Sequence, residues 1–349
     1  MPKTIINKSE LIVDFLKESP GSSSKEIHDG LDNSIAYATL KRALKTLISE
    51  NIITTKGKGK GTKYDLSYVF NILKPIDAEL YFKKEIDERK INSNYNRQLI
   101  TDTLTRASLF TASELSHLKT LQSRFKENSS KLSGYEFKNE LERLAIDLSW
   151  KSSQIEGNTY SLLETERLLK ENETAEGKTK DEATMLLNHK EALDFVIEHP
   201  GYIKPLSIRI IEDIHSLLIK DLKINKNLRN HSVGISGTNY KPLDNEFQIR
   251  EALQDMCDLI NNRENVFEMT LLSLVLISYI QPFSDGNKRT ARIISNAILI
   301  NNNFCPVSFR TVNSIEYKKG LLIFYEQNNL SPFKKIFIDQ FEFAVKTYF

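Results

Sequence analysis

Asp285, Lys288, Arg289 and Arg292 are gathered around Gly286, and together they have the makings of an anion site. Arg289 and Arg292, three apart on a helix, project to one side, and guanidinium groups suit phosphate oxygens. A helix beginning just after Gly286 points free N–H groups and its positive dipole end at the loop. An acid inside that positive nest makes sense if Asp285 holds Mg²⁺ beside a polyphosphate. The bland alternative is a helix start with a capping Asp and solvated basic residues. Spacing alone leaves both readings open.

The elements that position these residues are legible. Met269 to Ile280 carries neither a charge nor a helix breaker, which predicts a helix buried on most sides. Pro282 stops it and Gly286 permits a turn with positive φ. A second helix is expected from Asn287 or Lys288, capped by Asp285 or Asn287.

The stretch QPFSDGNKRTAR resembles the Fic (filamentation induced by cAMP) motif, H-x-F-x-[DE]-G-N-[GK]-R-x-x-R, with Phe283, Asp285, Gly286, Asn287, Arg289 and Arg292 in place. The resemblance implies an all-helical core with the motif in a loop between two helices. It also implies ATP as substrate or ligand, Mg²⁺ on Asp285, and transfer of AMP onto a hydroxyl of a target protein. Phe283, Ser284, Asp285, Gly286, Asn287, Lys288, Arg289 and Arg292 are then the nucleotide-binding residues, with Asn287 and Arg289 catalytic. The family's His position holds Gln281. That His is the general base, and an amide can orient a hydroxyl but not deprotonate it at neutral pH. Nucleotide binding is therefore expected to survive better than transfer. Lys288 stands where the commonest AMP-transferring form has Gly. The Doc branch has Lys there and transfers the γ-phosphate, which makes a Doc-like phosphotransferase a minor alternative.

SSQIEG, with Ser152, Glu156 and Gly157, resembles the family's inhibitory motif. There the Glu pairs with the second motif Arg, here Arg292, and keeps ATP from a productive pose. An acid at a helix C-terminus opposes the dipole, so a compensating partner is expected in any case. Val233, Gly234 and Ile235 alternate with Thr238, Asn239 and Tyr240 around Ser236-Gly237, a β-hairpin by pattern. The stretch looks like the family's flap, which borders the nucleotide site and pairs in extended fashion with the target. Tyr240 is the candidate contact for adenine or target.

Composition sets the bounds. A chain of 349 residues with 40% apolar and 27% charged residues fits a globular protein of two or three units. A net charge of +2 means that any nucleic-acid argument must be local. Cys257 and Cys305 are far apart and in no metal-ligand spacing, which suits a reducing cytoplasm. The N-terminus lacks a secretory h-region, and no apolar run approaches the roughly 20 residues a membrane span needs. The six His are expected to be core or surface residues rather than ligands. The expected class is mainly α: 1–70 a first module, 71–109 a helical linker, and 110–349 the Fic domain with its inhibitory helix.

Residues 1–70 read as helix (Ser9–Glu18), a short helix opened by a Ser23/Glu26 capping box, a turn at Asp32-Asn33, a third helix (Ile35–Glu50) and a hairpin around KGKGKG. That order resembles a winged helix-turn-helix. Lys41, Arg42 and Lys45 on the third helix and Lys56, Lys58 and Lys60 at the wing suit DNA phosphates, with Tyr37, Thr39 and Lys41 near base edges. The same module could serve protein contacts instead. DAELYFKKEIDERK, in the linker, is expected as a charged helix for interdomain or homo-oligomer contact. The competing whole-protein reading is a DNA-binding transcriptional regulator whose Fic domain is a nucleotide-sensing pseudoenzyme.

Overall fold

A computed structural model of the chain describes residues 8–32 and 34–349, with Lys60 described by its backbone alone. The turn expected at Asn33 and the side chain of Lys60 lie outside the described residues. The chain divides into two compact units. One runs to Pro75 and includes Arg106–Leu115; the other holds Ile76–Thr105 and Ser116–Phe349. The stretch expected as a helical linker is thus shared between them.

The first unit runs α1 (Lys8–Glu18), β1 (Ser22–Ser23), α2 (Ser24–Gly30), α3 (Tyr37–Ser49), β2 (Ile53–Lys56) and β3 (Lys63–Leu66). Its strands form one antiparallel sheet with β3 in the middle, pairing Ser22 with Tyr64 and Ile53 with Leu66. The apolar faces of the helices supply the core through Ile12, Leu16, Ile27, Leu40, Leu44 and Leu47. The Ser23/Glu26 capping box is formed from both sides and starts α2. Gly57 turns the chain at φ 82°, where a Cβ would lie 2.7 Å from the Gly61 carbonyl oxygen.

From Ala112 onward the regular elements are helices: α4 (Ala112–Ser129), α5 (Gly134–Ile155), α6 (Leu162–Glu171), α7 (Lys180–Glu198), α8 (Ile208–Leu218), α9 (Glu246–Asn261), α10 (Val266–Ile280), α11 (Asn287–Asn301), α12 (Ser314–Gln327) and α13 (Ser331–Tyr348). At the centre lies α10, buried at every residue from Thr270 to Ile280, as an uncharged stretch of that length must be. It packs on α11, which α7 and α8 also cover. Among the described residues no helix is long and apolar enough to cross a membrane. Both cysteines are free and buried.

Two expected elements are absent. DAELYFKKEIDERK is not one helix: Ala78–Tyr81 and Ile86–Glu88 are single turns. Its apolar stripe is too thin to hold a surface helix, and Tyr81 and Arg89 instead turn inward to Glu326 on α12. The second is the hairpin at Val233–Tyr240. Ser236-Gly237 does turn, with φ 88° at Gly237, but the flanking residues form no strand ladder. They bond across to the 76–105 segment instead: Lys241 N donates to Ser93 O (2.8 Å) and Asn239 Nδ2 to Asp87 Oδ1 (2.9 Å).

Candidate functional site

The site is built where α10 ends. Gln281 closes that helix in the left-handed region (φ 52°), its amide donating to Ile277 O. Gly286, at φ 81°, starts α11. Neither Asp285 nor Asn287 caps the new helix as expected. Asp285 Oδ1 takes the Gly286 amide at 2.6 Å, whereas Asn287 clamps the loop from inside. The Asn287 side chain accepts from Phe283 N (2.8 Å) and donates to Phe283 O (2.8 Å) and Gln281 Oε1 (2.9 Å). The first amides of α11 keep no acceptor within the helix, leaving an anion-seeking end.

Two residues without a motif of their own hold this loop. Arg229 is 2% exposed and donates to the carbonyls of Gln281 (2.6 Å), His231 (2.7 Å) and Ile280 (3.3 Å), which satisfies the C-terminal end of α10. His215 on α8 stacks flat on Phe283 at 3.6 Å, and its Nε2 lies 3.0 Å from the Asp285 carbonyl oxygen, so that nitrogen carries the proton. Burial pushes the His215 pKa down to about 4, which keeps the ring neutral. A Cβ on Gly286 would meet the same ring at 3.3 Å. Neither residue has a local signal in the sequence, since Arg229 sits in irregular chain and His215 looks like any polar residue in a helix.

The candidate inhibitory residue lies in the same place. Glu156 caps the C-terminus of α5, and Gly157 leaves it at φ 101°. Its Oε1 is 2.9 Å from Arg292 NH2 and its Oε2 is 3.0 Å from Lys288 Nζ. Arg292 is fully buried and is fixed further by Ser152 through Oγ (2.8 Å) and the carbonyl oxygen (3.0 Å). Burial raises the Glu156 pKa, but Arg292 and Lys288 outweigh it and hold the group at about 2. The adverse helix-end position is therefore compensated by two cations.

A cleft of about 330 Å³ opens above the loop. Gln281, Ser284, Asp285, Gly286, Asn287 and Lys288 line its floor, Gly234, Ile235 and Ser236 one wall, and Lys318, Leu321, Leu322 and Tyr325 of α12 another, with Glu156 at the edge. The α12 wall has i, i+3, i+4 and i+7 spacing, which by itself marks a helix and not a ligand site. Several predicted binding residues do not line the cleft. Phe283, Arg289 and Arg292 are buried beneath it, Arg289 reaching Leu218 O (3.3 Å) and Asp285 Oδ2 (3.4 Å). Tyr240 is a correction: it is buried, donates to Tyr279 O at 3.1 Å and stacks on Tyr279, anchoring the end of the Val233–Tyr240 segment rather than lining the cleft. Val233, Gly237, Thr238 and Asn239 also lie outside the lining. The Asp285 carboxylate is 64% exposed at the floor. One open carboxylate beside a helix N-terminus fits Mg²⁺, which takes one or two protein carboxylates and completes its shell with water and phosphate. Among the described residues no group of three or more His, Cys, Asp or Glu forms a closed metal cage.

In the first unit, Lys41, Arg42 and Lys45 are exposed on α3 and Lys56 and Lys58 near the hairpin tip. Thr39 is half-buried. Tyr37 is held by Ser24 Oγ (2.9 Å) beneath the Lys41 ammonium, 5.7 Å from its ring. Lys56 is partly offset by Asp65 at 3.5 Å.

Residues 205–299 match the Fic/DOC family model. Over 204 residues the chain is 26% identical to protein adenylyltransferase fic-1 of Caenorhabditis elegans, covering 56% of this chain and 39% of that protein. Over 189 residues it is 29% identical to protein adenylyltransferase Fic of Nematostella vectensis, covering 49% and 41%. The chain thus matches about two fifths of the length of these curated relatives. Among solved structures, Fic-1 of C. elegans superposes with a TM-score of 0.59 at 22% identity, over 68% of this chain and 72% of that one. A Fic domain containing signaling protein from Bacteroides thetaiotaomicron gives 0.57 at 19%, over 66% and 95%. These structural likenesses concern the fold. With the motif loop, the two helices around it and the matching family model, this chain carries a Fic domain, with protein adenylyltransferases among its relatives.

Proposed function

We propose that the chain binds ATP with Mg²⁺ in this cleft and belongs by ancestry to the enzymes that transfer AMP to a Ser, Thr or Tyr hydroxyl of a target protein. In this reading it is held off by Glu156 and impaired by Gln281. The observation that carries it is the Glu156 carboxylate bridging Arg292 and Lys288 beside an otherwise open anion cleft. A carboxylate there occupies the two cations that outer phosphates need and repels those phosphates. Asp285 would hold Mg²⁺, which supplies charge neutralisation along the triphosphate. The α11 amides, with Asn287 orienting the loop, receive the α-phosphate, and the Gly234–Ser236 wall is where a target segment would lie.

Titration calorimetry with Mg·ATP tests the binding step. Glu156→Gly is expected to bind about tenfold or more tightly than the unaltered chain, because both cations are released to the ligand. Equal affinity of the two, or no heat from either, would remove the inhibitory reading.

A second reading has its own observation. The helix–strand–helix–helix–strand–strand order of the first unit supports a winged helix-turn-helix reading, and its α3 and hairpin tip present exposed cations. This reading makes the chain a DNA-binding regulator with a nucleotide-sensing Fic domain. Replacing Lys56, Lys58 and Lys60 by Ala is then expected to flatten the log K against log[salt] slope by about 0.9 for each phosphate no longer neutralised. Absence of DNA binding at low salt by the unaltered chain would exclude it.

A further inference from the structure

One wall of the cleft has no secondary structure of its own to hold it. Gly234–Ser236 belong to a segment without a strand ladder, so its position depends on what it is bonded to. On its C-terminal side, beside the Tyr240 bond to Tyr279 O, its bonds come from the irregular stretch at 87–94, within the same compact unit. Arg89 NH2 donates to Gly237 O at 2.8 Å, one residue beyond the cleft wall. Asp87 takes the Asn239 amide, Ser93 O takes Lys241 N, and Asn94 bridges to Lys241.

Arg89 is itself set deep. Its side chain is 3% exposed, and its NH1 lies 3.2 Å from Oε1 of Glu326, which is fully buried. Tyr81 donates to the other Glu326 oxygen at 2.6 Å, and the guanidinium lies over the Phe82 ring at 5.1 Å. Glu326 follows Tyr325 on α12, which together with residues before it forms another wall. One planar fork therefore joins the turn of one wall to the helix of the other. Lysine, with a single terminal nitrogen, cannot reproduce that two-ended reach.

We infer that the 87–94 stretch is a brace that sets the width of the cleft, with Arg89 as its positioning residue for the Gly234–Ser236 wall. The inference deepens the nucleotide reading, since it matters to function only if that cleft takes the ligand. The brace itself is a claim about structure and can be tested separately.

The test follows hydrogen exchange at the Tyr240 and Lys241 amides, which bond to Thr238 Oγ1 (3.0 Å) and Ser93 O (2.8 Å). Arg89→Lys is expected to raise exchange there about tenfold or more, the effect of removing a charge-assisted bond being of that size. Amides within α11 should keep their protection. Because a lone buried Glu326 could unfold the protein, Arg89→Met with Glu326→Met serves as the second variant, replacing the pair by apolar groups of similar length. It should keep the unfolding midpoint near that of the unaltered chain and still free the flap. Unchanged exchange at Tyr240 and Lys241 in both variants would make Arg89 a core ion pair only and overturn the brace. In parallel, Arg89→Lys placed on Glu156→Gly is expected to weaken Mg·ATP binding several-fold, whereas unchanged affinity would sever the brace from the cleft. If Glu156→Gly alone binds no Mg·ATP, the nucleotide reading fails and the exchange result still decides the brace.

Discussion

Replacing Gln281 by His in a chain that also carries Glu156→Gly is expected to raise AMP labelling from α-labelled ATP and Mg²⁺ by about 10²–10⁴-fold over Glu156→Gly alone. The expectation rests on how completely the amide is occupied. Gln281 is 9% exposed, its Nε2 donates to Ser278 O at 2.6 Å, and its Oε1 accepts from Asn287 Nδ2 at 2.9 Å. One end of the side chain is tied to the last turn of α10 and the other to the loop, and neither can take a proton from an attacking hydroxyl near pH 7. An imidazole at the same position introduces a group whose ordinary pKa suits that task. The assay measures protein-bound label on the chain and on added lysate proteins. Label already strong in Glu156→Gly would show that no base is needed at 281. Label from γ-labelled but not α-labelled ATP would move the reading to the Doc-like phosphotransfer that Lys288 raises. No label in any form, with specific DNA binding retained, would turn the weight to the regulator.

Acidification should not release the inhibitory contact. Glu156 has an ordinary pKa of 4.5 and is held at about 2 in the folded chain. A folded-state value below the unfolded one stabilises fully above the unfolded pKa and loses that effect as pH falls through the folded pKa. The contribution of Glu156 is therefore expected to be flat from about pH 8 to pH 5 and to fall away between about 4.5 and 2, by on the order of 3 kcal/mol. Comparing urea unfolding of the unaltered chain with Glu156→Gln across pH 3–8 isolates this group. Their stability gap should hold steady down to about pH 5 and close below it. Mg·ATP affinity of the unaltered chain should likewise not rise between pH 8 and 5. A gap that widens on acidification, or affinity that climbs by pH 6, would mean that the carboxylate is not held by its two cations.

How much of this is legible in the sequence depends on the range of the interactions concerned. The buried α10, the turn at Gly286, the start of α11 and the Ser23/Glu26 box follow from local chemistry: uncharged residues over a helix length, a proline, a glycine and a capping pair. The motif spacing likewise carries the Fic resemblance through Phe283, Asp285, Asn287, Arg289 and Arg292. The hairpin at Val233–Tyr240 is a period-2 pattern without a guarantee of a partner, and its neighbours prove to be Arg89, Asp87 and Ser93. Tyr240 is aromatic and near the site, but only packing could tell that its ring belongs against Tyr279.

The division has a physical cause. Local propensity depends on residues within a turn or two, whereas a buried polar group takes whichever partner the fold delivers. Glu156 and Arg292 are 136 residues apart, and Arg89 and Gly237 are 148 apart. Arg229, His215 and the α12 wall gained their places in the same way, from helices brought together by burial of apolar faces. The sequence by itself determined the motif loop and the helices that bear it. Which groups close on that loop, which are buried beneath it, and which stretch holds the open wall were decided by tertiary packing, because only there do the long-range donors and acceptors meet.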